Sequence, residues 1–141
     1  LLGLSAKETT INYEQYVITN GVKIVETSIG LDALLSRAKK LNPKTLRMAG
    51  PIKKRFSRIA ITSGQGFFET FFGQLKPDLY IAGEFEQEAV RAAEDMGITL
   101  LELTHHASEA RPLEVLAPKL SKILGLKVIF IETPDSIRNI E

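Results

Sequence analysis

The feature that most constrains the fold is the alternation, from Gly21 onward, of short apolar runs with segments whose apolar residues recur at helical spacing. Such alternation is typical of α/β layering around a sheet. We therefore predict an α/β fold, a layered mixed or parallel sheet flanked by helices. The predicted strands are residues 22–25, 45–49, 58–62, 79–82, 98–103 and 127–131. The predicted helices are residues 31–41, 67–75, 86–96 and 112–124.

The chain has enough residues and apolar content for one core, since it has 141 residues of which 44% are hydrophobic. No repeat, low-complexity segment or linker divides it, so residues 1–141 are predicted to form one domain. Residues 1–20 form a connecting segment with a weaker pattern. Their β-branched and aromatic residues permit either a strand or an extended crossing.

The charge balance gives no signal for nucleic acid or an anionic membrane, because 18 Lys and Arg residues face 17 Asp and Glu residues. The basic run 53–55 is short, lacks aromatic neighbours and is interpreted as a solvated turn. Cysteine is absent. A metal site would therefore use histidine, carboxylates and water, which suits hard or borderline divalent ions.

The start of the chain lacks the charged and apolar regions of a signal peptide, and its apolar runs are shorter than the roughly 20 residues of a membrane span. A cytoplasmic protein is the expectation. The first residue is leucine rather than methionine. We therefore expect the natural beginning of the protein to lie upstream.

Polar or small residues follow three of the predicted strands, where open α/β sheets collect ligands. These segments are Ser63-Gly64-Gln65-Gly66, Gly83-Glu84 and Thr104-His105-His106-Ala107-Ser108-Glu109. If the three strands are parallel, all three segments open on one rim of the sheet.

The third segment carries the strongest signal for chemistry. It holds both histidines of the chain, and Glu109 follows His105 at the i+4 position. On one helical turn these two side chains face the same way and can share a divalent ion. Two ligands alone make a weak site, so further ligands must come from elsewhere. The alternative is that His105 forms ordinary structural hydrogen bonds while His106 and Glu109 are solvated.

The other two segments allow two interpretations each. Ser63, Gly64 and Gly66 stand at a strand-to-helix turn, where backbone N–H groups can bind an anion such as phosphate. Alternatively, the two glycines serve close packing and positive φ. Glu84 is a candidate general base or a hydrogen-bond acceptor that orients a metal ligand. Otherwise it is an exposed acid in the first turn of the next helix.

Paired phenylalanines at helical spacing exceed what one buried helix face needs. They are Phe67, Phe68, Phe71 and Phe72. We interpret them as core residues with a contribution to a subunit interface.

The motifs resemble those of the Nif-three-like family, whose members are often named GTP cyclohydrolase 1 type 2 homologues. The resemblance lies in IAITSGQG (residues 59–66), DLYIAGE (78–84), THHASE (104–109) and the closing LKVIFIETP (126–134). Their order and spacing agree with the C-terminal part of that family, from Arg58 onward. Two positions depart from it, because Thr104 stands where glycine is common and Ala82 where threonine or serine is frequent. Threonine at this position stiffens the turn but still permits its short side chain to cap the following helix.

The resemblance implies a ring-shaped homohexamer with two divalent metal ions in each subunit, which could be Zn, Fe or Mn. His105 and Glu109 would be two of the ligands, and the others, a histidine pair and an aspartate, would lie in an N-terminal half that precedes this sequence. The first hypothesis is a metal-dependent hydrolase acting on a nucleotide or phosphoester. The second is a non-catalytic metal-binding scaffold or protein-interaction ring, and a third is a structural remnant without metal.

Overall fold

The computed structural model describes residues 2, 5, 7–13, 16–66 and 74–137. Within this part of the chain, six strands form one sheet, and helices flank it on both faces. The strands are β1 Lys7–Tyr13, β2 Tyr16–Gly30, β3 Arg47–Ala49, β4 Arg55–Ile61, β5 Leu79–Ala82 and β6 Thr99–Glu102. The helices are α1 Leu31–Lys39, α2 Gln87–Met96 and α3 His105–Leu124.

The sheet is mixed, as predicted, with the strand order β1-β2-β4-β5-β6-β3. Strands β4, β5 and β6 are parallel neighbours, whereas β1, β2 and β3 pair antiparallel with theirs. The carboxyl ends of the three parallel strands therefore share one rim. The three candidate segments were predicted to open on one rim if these strands are parallel, and the strands are parallel.

Each face of the sheet carries its own apolar cluster, because successive residues of a strand point to opposite faces. Ile59 packs in the cluster that includes Leu34 and Ala38 of α1. Its neighbour Ala60 packs in the cluster that includes Ala89 and Ala93 of α2. The parallel strands are thus covered on both faces, as parallel strands generally are. Among the described residues, no helix is long and apolar enough to cross a membrane.

Several predicted boundaries differ from those of the structure. The strand predicted at residues 22–25 is the middle of the much longer β2, which also includes part of the open segment 1–20. Arg55 begins β4 instead of ending a solvated turn, and the strand predicted at residues 45–49 is reduced to β3. The helix predicted at 67–75, with its four phenylalanines, lies outside the described residues except for Gln74 and Leu75.

Two predictions at the end of the chain were wrong. The helix predicted at 112–124 begins already at His105 and includes both Pro112 and Pro118. Proline favours a helix start and opposes a helix interior, but burial of Ala107 and Ser108 anchors the preceding turn. The strand predicted at residues 127–131 pairs with none of the described strands. Ile129 and Ile131 are 65% and 79% exposed, so these apolar side chains are not buried against the described strands.

Candidate metal centre

Backbone hydrogen bonds join the first two candidate segments on the rim. The carbonyl of Gly64 accepts the N–H of Gly83 at 2.7 Å and that of Glu84 at 3.2 Å. The N–H of Gly66 donates to the carbonyl of Glu84 at 2.8 Å. The position of Glu84 is thus fixed by the backbone of the segment that follows β4.

The third segment joins them through Ser108. Its Oγ accepts the N–H of Gly64 at 2.8 Å and donates to the carbonyl of His105 at 2.7 Å. Ser108 is 6% exposed, so both bonds are sheltered from water. Ser108 thereby holds the start of α3 against the loop after β4. Sequence reasoning assigned it no role, although its place three residues after His105 puts it one helical turn away.

The side chain of His105 lies between two carboxylates. Its Nδ1 is 2.9 Å from Glu84 Oε1, and its Nε2 is 3.2 Å from Glu109 Oε1. Glu109 is on the same helical face, which confirms the predicted i+4 juxtaposition. The three side chains are 42%, 46% and 53% exposed, for His105, Glu84 and Glu109 respectively, so the ring edge remains open to solvent.

The neighbouring carboxylates change the acidity of the imidazole. The hydrogen bond to Glu84 raises the pKa of His105 above its ordinary value of 6.5. Desolvation lowers this pKa to a smaller extent, and the negative charge of Glu109 raises it again. In the neutral ring, a proton on Nδ1 that is donated to Glu84 leaves the lone pair of Nε2 facing Glu109.

Glycine is required at two positions around this pair. A Cβ on Gly64, whose φ is +65°, would lie 2.8 Å from Glu109 Oε1 and 3.3 Å from His105 Nε2. A Cβ on Gly83 would lie 2.6 Å from the carbonyl oxygen of Gly64 and 2.8 Å from His105 Cα. The loops therefore approach the histidine more closely than any side chain would permit.

The pair fits the donor geometry of a divalent ion. Two donors about 2.1 Å from one ion, at tetrahedral or octahedral angles, are about 3.0 to 3.4 Å apart. The 3.2 Å between Nε2 and Glu109 Oε1 lies in this range. Glu84 contacts the opposite ring nitrogen, so it suits orientation of the imidazole better than direct ligation. Within the described ranges, no group of three or more His, Asp or Glu side chains is arranged to hold an ion.

The turn before His105 has an unusual conformation. Thr104 has a φ of 70° and a ψ of 143°, a region that residues with a Cβ rarely adopt. Its side chain forms no capping hydrogen bond, and its buried Oγ1 has no partner in the part of the chain that the structure describes. Thr104 therefore does not provide the helix cap that its short side chain permits.

The geometry does not favour the anion-binding interpretation of Ser63, Gly64 and Gly66. The N–H groups of Gly64 and Gly66 already donate to Ser108 Oγ and to the carbonyl of Glu84. Ser63 is exposed. The two glycines therefore match the packing alternative.

A cavity of about 470 Å³ lies beside the pair. His105, Glu109 and Glu84 line one side, and Lys44 and Asp135 belong to its lining as well. Lys44 and Asp135 form an ion pair at 3.5 Å. Sequence reasoning missed both residues, because nothing in a single sequence indicates that side chains so far apart along it meet.

Comparison with known proteins identifies the family. The family model of Duf34/NIF3 (NGG1p interacting factor 3) matches residues 2–136. The chain belongs to the Duf34/NIF3 family. The resemblance inferred from the four sequence segments is thereby confirmed.

Curated Duf34/NIF3 relatives include two proteins named GTP cyclohydrolase 1 type 2 homolog. The one from Pyrococcus horikoshii is 35% identical over 80 residues, covering 57% of this chain and 32% of that protein. The one from Campylobacter jejuni is 35% identical over 106 residues, covering 74% of this chain and 43% of that protein. The chain thus spans less than half of these relatives' length.

Solved structures show the same Duf34/NIF3 fold. Staphylococcus aureus protein SA1388 superposes with a TM-score of 0.65 at 22% identity, covering 89% of this chain and 45% of that chain. HcgD from Methanocaldococcus jannaschii superposes with a TM-score of 0.64 at 22% identity, covering 78% and 46%. At this identity the likeness supports the fold.

Proposed function

We propose that this chain contributes His105 and Glu109 as two ligands of a divalent metal site, and that the site hydrolyses a nucleotide or phosphoester. The observation that carries the proposal is the convergence of His105 Nε2 and Glu109 Oε1, 3.2 Å apart, on the wall of a cavity. A Cβ at Gly64 would lie 2.8 Å from Glu109 Oε1 and 3.3 Å from His105 Nε2, so only glycine leaves room for both groups at this position. The name GTP cyclohydrolase 1 type 2 homolog, carried by relatives, is compatible with a nucleotide substrate.

The chemistry divides between the ions and the residues of this chain. When bound, divalent ions acidify water and polarise a substrate oxygen. His105 presents its unprotonated Nε2 to the site, Glu109 supplies negative charge, and Glu84 fixes the ring orientation and the tautomer through Nδ1. Glu84 is therefore proposed as a positioning residue, since its carboxylate is engaged with the imidazole. The further ligands are proposed to come from family positions that this chain does not cover.

The resemblance also supports a homohexamer with two ions per subunit. Large apolar side chains are exposed along the second half of α3 and after it, including Ile123, Leu124 and Ile131. Apolar surface of this kind is typical of subunit or domain interfaces. Sedimentation of the full-length protein tests this assembly, and a monomer at micromolar concentration would contradict it.

Metal analysis of the full-length protein tests the ligand assignment. His105→Ala and Glu109→Ala are each expected to lose bound metal, and Glu84→Gln to weaken metal binding about 10- to 100-fold. His106→Ala and Glu88→Ala are the matched controls and should keep the wild-type content. Unchanged metal in both ligand variants would refute the assignment.

An activity assay separates the two functions that a metal site allows. Metal-loaded protein is assayed with nucleotides and simple phosphoesters, with the ligand variants as blanks. Turnover that disappears in both variants supports the hydrolase. Stoichiometric metal without turnover of either class supports a non-catalytic metal-binding scaffold instead.

A further inference from the structure

The cavity beside His105 and Glu109 contains a lysine whose ammonium group is surrounded by oxygens. Lys44 Nζ lies 3.1 Å from the carbonyl oxygen of Asp135 and 3.5 Å from its carboxylate Oδ2, and it also donates to the carbonyl of Ile137. An ammonium has three donors and no acceptor, so three oxygens satisfy it. Oxygens of a phosphate group would meet the same requirement.

The partner of Lys44 comes from a segment that is easy to displace. Asp135 follows α3 in residues that adopt neither helix nor strand, and its neighbours Pro134 and Ser136 are exposed. The other Asp135 oxygen, Oδ1, accepts the N–H of Ile137 at 3.0 Å, so a local turn presents the carboxylate. The side chains of Lys44 and Asp135 are 37% and 13% exposed, so water reaches the ion pair from the lysine side and the partner of the lysine can exchange.

The second cation of the cavity, Arg47, is held differently. Its Nε lies 2.5 Å from Glu102 Oε2, and Glu102 is a residue of β6 that also accepts the N–H of Phe85 at 2.8 Å. Arg47 is thus paired with a carboxylate fixed in the sheet. Lys44 is the cation of this cavity whose carboxylate partner lies on a loop rather than in the sheet.

We propose that Lys44 binds the phosphate group of the substrate, and that Asp135 occupies this position in the substrate-free protein. This inference rests on the proposed function, because it identifies the substrate class as a small-molecule phosphate ester that reaches the His105–Glu109 pair in the same cavity. A dianionic phosphate carries more negative charge than the Asp135 carboxylate, so it competes for Lys44. Asp135 acts as an internal competitor that a neutral ligand cannot replace.

Variants that remove a charge but nearly keep the side-chain size test both halves of the proposal. Titration calorimetry with inorganic phosphate is carried out on the full-length protein, metal-loaded and metal-free. Lys44→Gln is expected to weaken phosphate binding about tenfold, and Asp135→Asn to strengthen it about threefold or more. Asparagine keeps an oxygen for the Ile137 N–H, so the turn is retained while the competing charge is lost. Lys39→Gln and Asp32→Asn on α1 are matched controls and should bind phosphate as the wild type does.

The double variant Lys44→Gln/Asp135→Asn isolates the competition from any structural effect. Without Lys44, the substitution at Asp135 should no longer strengthen phosphate binding. Acetate is the second probe. If the variants rank in the same order but bind acetate more weakly than phosphate, the result supports recognition of a phosphate rather than of any carboxylate. Stronger acetate than phosphate binding would overturn the substrate class.

The results distinguish this proposal from the metal assignment. Lys44→Gln must retain the wild-type metal content, and the phosphate ranking is expected with or without metal. Absence of bound metal from the wild-type protein would refute the proposed function and leave the role of Lys44 in phosphate binding intact. Equal phosphate affinity of Lys44→Gln and Lys39→Gln, or weaker binding by Asp135→Asn, would refute the role of Lys44.

Discussion

The two ends of α3 differ in how completely the chain surrounds them. In the first turn, Ala107 and Ser108 are 4% and 6% exposed. The side chains of Ser108 and His105 form hydrogen bonds with Gly64 and Glu84, which lie in the loops after β4 and β5. At the other end, Ile123 and Leu124 are 76% and 57% exposed. The first turn of α3 is thus packed against the rest of the chain, whereas its last turn presents an apolar surface that the described residues do not cover.

The difference distinguishes residues that are packed within this chain from residues that another domain or subunit would cover. The first turn is fixed by contacts within this chain, so its substitutions should act on the chain itself. The far end exposes large apolar side chains, which proteins usually cover with another domain or subunit. Its substitutions should act mainly where such a cover exists.

The largest expected effect comes from adding one methyl group at each end. Gly83→Ala places a Cβ 2.6 Å from both the Gly64 carbonyl oxygen and Ser108 Oγ, so backbone must shift. We expect a loss of about 3 kcal/mol in the free energy of unfolding. Gly125→Ala, after the far end, meets no atom within 4 Å at a φ of +65° and should lose only about 1 kcal/mol. Urea denaturation measures both, and equal losses would abolish the contrast between the two ends.

The next effect concerns the strained residue before the first turn. Thr104→Gly should stabilise the chain by about 1 kcal/mol, because relief of the positive φ exceeds the backbone entropy cost of glycine. It also removes the buried, unpartnered hydroxyl. Thr104→Ala removes the hydroxyl while retaining the strain, so it should gain less. A thermal melt in which glycine is less stable than alanine would show that the backbone is not strained there.

A smaller effect is expected from pH in the metal-free protein. Because the pKa of His105 is raised when folded, the protonated ring stabilises the fold fully below the unfolded pKa of 6.5. This contribution is lost as the pH rises through the folded pKa, and solvent screening keeps it below about 1 kcal/mol.

Glu84→Gln should therefore lower stability more at about pH 5.5 than at about pH 8.5. An NMR titration of the His105 ring should show its pKa move down in this variant. Glu88→Gln on α2 is the control. An unchanged His105 pKa in Glu84→Gln would mean that the Nδ1 contact is absent in solution.

The smallest effect is expected at the exposed end. Ile123→Gln should change the free energy of unfolding of the isolated chain by no more than about 0.5 kcal/mol, because the side chain is already 76% exposed. In the full-length protein, the same substitution should weaken assembly if this surface is an interface. A loss above about 1 kcal/mol in the isolated chain would mean that the chain covers Ile123 itself.

Much of the fold could be predicted because local pattern and tertiary structure agree in its centre. Residues 79–82 were predicted as a strand with the bounds of β5, since both faces of this strand are buried and its four residues are apolar. The prediction failed at residues 127–131, where a similar apolar pattern has no neighbouring strand among the described residues. Periodicity reports which residues require burial but does not supply the partner.

Of the candidate site, the sequence predicted only the contact between residues that are one helical turn apart. The spacing of His105 and Glu109 placed both on one face, as the structure confirms. The bonds of Ser108 with Gly64 and of Lys44 with Asp135 join residues 44 and 91 positions apart. Such contacts depend on strand order, which a single sequence does not specify.

The link between Gly64 and Ser108 also determines when the site can form during folding. Loop closure over 44 residues is entropically unfavourable until strand pairing brings these segments together. An excised peptide containing only α3 would keep the histidine and glutamate spacing but lose the restraints from Gly64 and Glu84. Ion binding of the kind proposed would consequently follow folding of the parallel strands and could not nucleate it.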